Sequence, residues 1–472
     1  MLRFFPVLLL AIQPVYASDL PDLGEVSRQY FSEQEESALG RTILRDIYAD
    51  PRYLDDPEVE AYLHQIGYRL VSVSPRNQRE FNFFVVDAPS INAFALPGGN
   101  IGVHTGLLLA AQSESELAGV IAHEIAHVTQ DHIARMVAAQ SQNYWPTMAA
   151  LALALLASRS NPNIAGAAIA TTQAHALQNQ LNFSREFERE ADRLGYDMLT
   201  RAGFDPRGMG SFFHRLLRSS RFHDGNAPAY LRTHPLTTER ISDMEARSES
   251  TTYRQVPDNL DFHLVRASLR SREGSAADAL ATARAAIKDG RYSNESAARY
   301  GLVLALLRAR QFDEAERVAQ KHLNSLSTNA RLAGLPGRIA LASGKPALAV
   351  QRYRTAVQAH PGHRPLLYGY TAALLAADEA SEALQQLDRA RMLYPTDRRI
   401  WRLAAQAHAR LGQQLLGHRA QAEAAALSGN LVAAIEQIDL GIRAGDGSFH
   451  DLSAAEARRR QWQALEKAQR NN

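Results

Sequence analysis

The 472-residue sequence contains no cysteine. Disulfides, thiol catalysis, thiolate metal sites and a lipidated N-terminal cysteine are therefore excluded, and any metal must be held by nitrogen and oxygen donors. Lysine stands only at positions 288, 321, 345 and 467, so the cations are almost all arginine, which reads as a coding bias rather than as recognition chemistry. Strong net charge is missing too: 52 basic and 50 acidic side chains leave +2, which gives no global field for nucleic acid. Nor does any apolar run reach the ~20 residues needed to span a bilayer. The main ones cover residues 4–12, 148–157 and 164–170.

What is present looks like a soluble chain of two or three domains, with 46% apolar and 22% charged residues. Arg3, the apolar run after it and the small residues of Val15-Tyr16-Ala17 read as a secretory signal cleaved after Ala17, which implies export to a periplasm or the cell exterior. Residues 18–250 mix helical and strand patterns. Pro257 and Asp258 then break the periodicity, and residues 260–472 are helical throughout. Ala315, Ala349 and Ala383 recur at 34-residue steps, with Ala279 preceding them by 36. Turn formers precede three of these alanines at Gly274, Gly344 and Asp378, with Gly412 continuing the series, and Pro361 and Pro395 share the period. A helix-turn-helix unit of this length is a tetratricopeptide repeat, whose stack offers a surface for a partner segment. Tyr353, Tyr368 and Trp401 are expected to fill gaps between its layers.

The chemistry lies in residues 113–137. Ser113 and Glu116 form a capping box, and Leu117, Val120, Ile121, Ile125 and Val128 recur at the spacing of a buried helix. On that helix His123 and His127 sit one turn apart on one face, so both imidazoles can bind one zinc ion with Glu124 beside them to meet the attacking water. His132 is the nearest third ligand but lies about 140° round the helix, and the metzincin spacing is absent, Gln130 and Ile133 standing where it needs Gly and His. Glu188 is the better candidate, in the gluzincin manner of a downstream glutamate. Asp192, one turn on, is placed to bond the outer nitrogen of a ligand histidine. Glu186 and Glu190 point about 160° away and read as solvated charges.

Taken in order, Asn92-Ala93-Phe94-Ala95-Leu96-Pro97-Gly98-Gly99, His123-Glu124-x-x-His127, Glu188-x-x-x-Asp192 and His234-Pro235 with Arg240-Ile241 resemble the HtpX and CAAX-prenyl-protease family of zinc metallopeptidases. The layout is similar to periplasmic members that carry tetratricopeptide repeats and serve outer-membrane barrel assembly. The resemblance implies an α+β, mostly helical, zincin-like domain with a small antiparallel sheet, followed by the repeat array. It implies one zinc per chain on His123, His127 and Glu188, with Glu124 as general base. It places His234 and Arg240 at the site mouth, His234 as a resting-state ligand and Arg240 helping the oxyanion; from its Thr-His-Pro turn alone, His234 reads as a surface histidine. The strand edge in residues 92–96 is expected to receive substrate backbone. Implied partners are unfolded outer-membrane proteins and the barrel-assembly machinery, the latter through the repeats. Residues 148–170 are expected to form a lid, a structural hairpin or a peripheral membrane contact.

Overall fold

The computed structural model describes residues 28, 30–76, 78–139, 185–221, 228–250, 256–323 and 328–471. The expected signal segment 1–17 and the apolar stretch 148–170 lie outside the described residues.

Among the described residues two helices, α1 (Glu33–Ala49) and α2 (Pro57–Val71), precede a sheet of β1 (Asn82–Val86), β2 (Ala93–Leu96) and β3 (Asn100–His104). The strand order is β1-β3-β2. β2 and β3 form the expected antiparallel hairpin through Pro97-Gly98-Gly99, with both glycines at positive φ. β1, however, runs parallel to β3, so the sheet is mixed rather than antiparallel. Its Phe-Phe-Val-Val run is buried on both faces, and such a run carries no alternation from which a direction could be read. Phe84, Val86, Phe94 and Leu96 pack on Ile43 and Ile47 of α1. Phe83, Val85, Ile101 and Val103 face the main core.

That core is built around α4 (Glu114–Thr129), which follows the short α3 (Thr105–Ala110) and is buried at every position. Ser113 caps α4 by accepting from the Glu116 amide at 3.2 Å. The Glu116 carboxylate reaches past the cap residue to the Gln112 amide (2.7 Å) and also takes Ser211 (3.0 Å) and Arg215. A further free amide, that of Glu114, donates to Asp258 Oδ1 at 2.7 Å, so the domain joint itself satisfies an orphan donor of this helix. At the other end Asp131 takes a left-handed φ of 54° and starts α5 (His132–Ala139). Its buried carboxylate gathers Arg28, Arg76 (2.5 Å) and Arg79 (2.9 Å), and Arg28 and Arg79 also bond Glu36.

α6 (Arg185–Arg201) buries Glu188, Ala191, Asp192, Gly195 and Leu199, a single helical stripe, against α4. Gly195 permits the approach: a Cβ there would lie 3.2 Å from the His123 amide nitrogen. α7 (Arg207–Arg221), α8 (Ala229–Thr233) and α9 (Thr238–Ser250) complete this half.

Among the described residues twelve helices follow: α10 (Leu260–Arg270), α11 (Ala276–Lys288), α12 (Glu295–Arg308), α13 (Phe312–His322), α14 (Ala330–Ala342), α15 (Pro346–Ala359), α16 (Arg364–Ala376), α17 (Ala380–Leu393), α18 (Arg398–Arg410), α19 (Gln414–Leu427), α20 (Leu431–Ala444) and α21 (Phe449–Asn471). Each recurrent alanine is the fourth residue of a second helix, and Ala315, Ala349 and Ala383 are fully buried. The residue five positions earlier is left-handed in every case: Gly274 and Gly344, but also Arg310 (φ 59°) and Asp378 (φ 64°); Gly412, which continues the series ahead of Gly417, is left-handed too. Tyr353 fills the gap between layers, resting where Cβ atoms on Gly337 or Gly369 would come within 2.6 Å of it.

The array does not stand apart. Phe262, Val265 and Leu269 of α10 belong to the same buried cluster as α4. Farther along, Arg331 bonds the Glu58 carboxylate (3.0 Å) and carbonyl (2.8 Å), Arg399 takes Asp55 and Glu60, and Arg398 stacks on Tyr48 at 3.7 Å. Arginines thus join the two halves along residues 55–60 of the first. Among the described residues no helix is long and apolar enough to cross a membrane.

Candidate metal centre

The seven residues singled out in the sequence meet in one buried cluster. One ligand atom from each of His123, His127, Glu188 and His234 lies within 4.8 Å of all the others. The two Nε2 atoms of His123 and His127 are 2.9 Å apart, and the Glu188 carboxylate approaches them at 3.4 and 3.5 Å. His234 Nδ1 is 3.0 Å from Glu188 Oε1 and 3.3 Å from His123 Nε2. His234 is therefore no surface histidine; only 1% of it is exposed. Three imidazoles and a carboxylate, sealed from water and converging on one point, fit a divalent cation: the set supplies nitrogen and oxygen donors in the number and kind that a tetrahedral site takes.

The supports behind the donors are also in place. Asp192 Oδ1 lies 3.0 Å from His123 Nδ1, which fixes the ring with Nε2 forward. Arg240 grips Asp192 with two bonds of 2.6 and 2.8 Å, places Nη1 2.7 Å from Glu188 Oε2 and donates to the Pro235 carbonyl at 2.8 Å. With 2% exposure and its guanidinium committed to these partners, Arg240 sits behind the ligands rather than at the mouth. Glu124 is fully buried, and neither of its oxygens has a well-aligned hydrogen-bond partner among the described residues. The Ala95 amide of β2 faces it, and His234 Nε2 stands 3.5 Å from Oε1.

Burial drives the Glu124 pKa upward, against the pull of His234 and His123. At Glu188 burial opposes ionisation, yet His234 and His123 overcome it and hold the carboxyl well below the usual range. Burial likewise works against a charged His123, but Asp192 and Glu188 raise it to about 9. His127, with burial and the neighbouring imidazoles acting together, is pushed far down, toward the neutral form that binds metal.

His132 lies outside the donor set, as its helical angle implies. Its Nδ1 is 2.8 Å from His127 Nδ1, its Nε2 is 3.2 Å from Glu190 Oε2, and its ring stacks on Phe187 at 4.5 Å. Glu190 departs from the sequence reading: it is not a solvated charge but an ion-pair partner of Arg135 (2.8 Å) and a hydrogen-bond partner of His132, whose charged form burial disfavours. The helical angle holds, but the α5 turn that meets it is a tertiary contact. Glu186 is exposed. Tyr230, which no motif or spacing singles out, stacks on His234 with ring centroids 4.7 Å apart. The outer edge of β2 carries no further strand among the described residues.

Comparison with known proteins places this arrangement. Residues 57–248 match peptidase family M48, and residues 340–407 match a tetratricopeptide repeat. A beta-barrel assembly-enhancing protease of Escherichia coli (strain K12) is 32% identical over 425 residues, covering 89% of this chain and 86% of the relative. One from Yersinia pestis is 32% identical over 417 residues, covering 88% and 86%. The mitochondrial metalloendopeptidase OMA1 of Arabidopsis thaliana is 30% identical over 227 residues, 48% of this chain and 44% of that one, so only part of it is shared. Because the bacterial similarity runs through the metal-binding half and the repeats alike, the chain belongs to peptidase family M48 and is a metallopeptidase joined to tetratricopeptide repeats.

Proposed function

We propose that the protein is a zinc endopeptidase of the periplasm that degrades misfolded or stalled outer-membrane β-barrel proteins and, with a chaperone-like action of its repeats, supports their assembly. The observation that carries the chemistry is the meeting of Glu188 with His123 and His127 beside Glu124. Barrel proteins as substrates are suggested by the names of the full-length relatives, and the periplasm by those names together with the N-terminal signal pattern.

A bound zinc ion would polarise the scissile carbonyl and acidify a water molecule. Glu124, raised by burial and facing the cluster, is placed to accept that water's proton and pass it to the leaving amine. Asp192 and Arg240 act through His123 and Glu188 as positioning residues, with Arg240 bracing both carboxylates instead of meeting the oxyanion. The free edge of β2, whose Ala95 amide faces Glu124, suits an extended substrate adding by backbone bonds with little sequence demand. Glu124→Gln is expected to keep the metal and abolish cleavage of unfolded casein; full activity in that variant would sink the assignment.

A second reading is supported by His234, whose place among the donors suits a site closed at rest and a chain that serves mainly as a docking scaffold. Complementation of a deletion strain separates the two. If Glu124→Gln restores barrel assembly while loss of residues 271–472, which spares the core residues of α10, does not, scaffolding dominates.

A further inference from the structure

Tyr230 is fully buried on α8, one turn ahead of His234. Its backbone is committed: the amide donates to the Ile91 carbonyl at 3.2 Å, just ahead of β2, and its carbonyl accepts from the His234 amide at 2.8 Å. The ring is committed as well, stacked on His234 at 27° and angled at 62° to His123 with centroids 6.3 Å apart. The hydroxyl alone has no hydrogen-bond partner among the described residues. A buried hydroxyl left in that state destabilises the fold, and phenylalanine would fill the same space without the penalty. The ring lies against both His234 and His123, which sets the phenol beside the metal donors.

We propose that Tyr230 is a catalytic residue whose hydroxyl donates a hydrogen bond to the carbonyl oxygen of the scissile peptide as that oxygen gains negative charge. The assignment rests on the metallopeptidase reading of the site. A phenol is un-ionised at neutral pH, so Tyr230 is a donor and not a base. The nearby cationic donor, Arg240, is already committed to Asp192, Glu188 and the Pro235 carbonyl, and His234 stands among the metal donors. The backbone bond to Ile91 fixes the phenol relative to β2, the strand on which the substrate backbone is proposed to lie. A donor aimed at charge that appears only in the transition state raises kcat and leaves KM nearly alone.

The test compares the full zinc-loaded chain with Tyr230→Phe and Glu124→Gln on fluorescein-labelled unfolded casein, alongside metal content and melting of the metal-free and loaded proteins. Tyr230→Phe should keep its metal, melt at or above the wild-type temperature and hold KM within about twofold, while kcat falls about 100-fold. A kcat within about threefold of wild type overturns the proposal. So does a fall in kcat accompanied by lost metal or a lower melting temperature, because the ring would then be structural. If wild type and Glu124→Gln are equally inert, the peptidase reading fails, and the Tyr230 assignment goes with it.

Discussion

Substitution of Asp131 tests whether the end of α4 is held by charge or merely by packing. The side chain is 1% exposed and meets Arg28, Arg76 and Arg79, which are 16%, 36% and 17% exposed. Severing a fully buried pair costs about 3–5 kcal/mol. Because these arginines keep some contact with water and can turn toward it, Asp131→Asn should cost less, about 2–3 kcal/mol. Asn tolerates the left-handed φ of 54°, whereas alanine does not, so Asp131→Ala should lose about 1 kcal/mol more. For a domain of about 150–250 residues, each kcal/mol lowers the melting temperature by about 2–4 °C, which puts Asn about 4–12 °C below wild type and Ala about 2–4 °C lower still. Melting of the metal-free protein, followed by near-ultraviolet circular dichroism, isolates the scaffold from ligand stabilisation. An Asn variant within about 1 °C of wild type would refute the charge argument and leave the cluster worth no more than a surface pair. Identical melting of Asn and Ala would refute the backbone argument.

His363, depressed to about 4 chiefly by burial and then by Arg331, faces Glu58, Asp261 and His360 where the repeats meet α2. Its neutral form belongs to the folded state, so its contribution is whole above pH 6.5 and is lost as pH falls from about 6.5 to 4, amounting to about 1–2 kcal/mol after screening. Urea titrations across that window should show a steeper acid loss in wild type than in His363→Gln, and parallel curves would reject the idea. Gly369→Ala drives a Cβ to within 2.6 Å of Tyr353 and should weaken the array by about 1–3 kcal/mol in urea unfolding; an unchanged midpoint counts against the packing account. His123→Ala and Glu188→Ala should each be purified with far less metal than wild type when analysed by inductively coupled plasma mass spectrometry, while Glu124→Gln retains it. Equal metal content in all four proteins would remove Glu188 from the ligand set.

The spacing of His123 and His127, the capping residues of α4 and the 34-residue period are local properties, and each is legible in the order of residues alone. The expectations for His234 and Arg240 rest on resemblance, because nothing in a Thr-His-Pro turn reports that its histidine is 1% exposed. Parallel β1 is hidden by a strand apolar on both faces, which has no alternation to reveal its setting. Arg310 at positive φ is invisible for a different reason: the turn demands a left-handed residue, but the stacked helices, not the side chain, enforce it. Glu190 and the arginine joint along residues 55–60 arise between segments dozens to hundreds of positions apart, beyond any periodic signal.

The 2.7 Å bond from the Glu114 amide to Asp258 has a practical corollary. Cutting the gene between the catalytic and repeat regions strips a cap from the very helix that carries His123 and His127, and it removes Phe262, Val265 and Leu269 from the apolar cluster beneath that helix. A truncated peptidase that proves sluggish would then report damage to its own scaffold and say nothing about recruitment by the missing repeats. Shortened versions intended to separate the two activities should end after Arg270, not before Asp258.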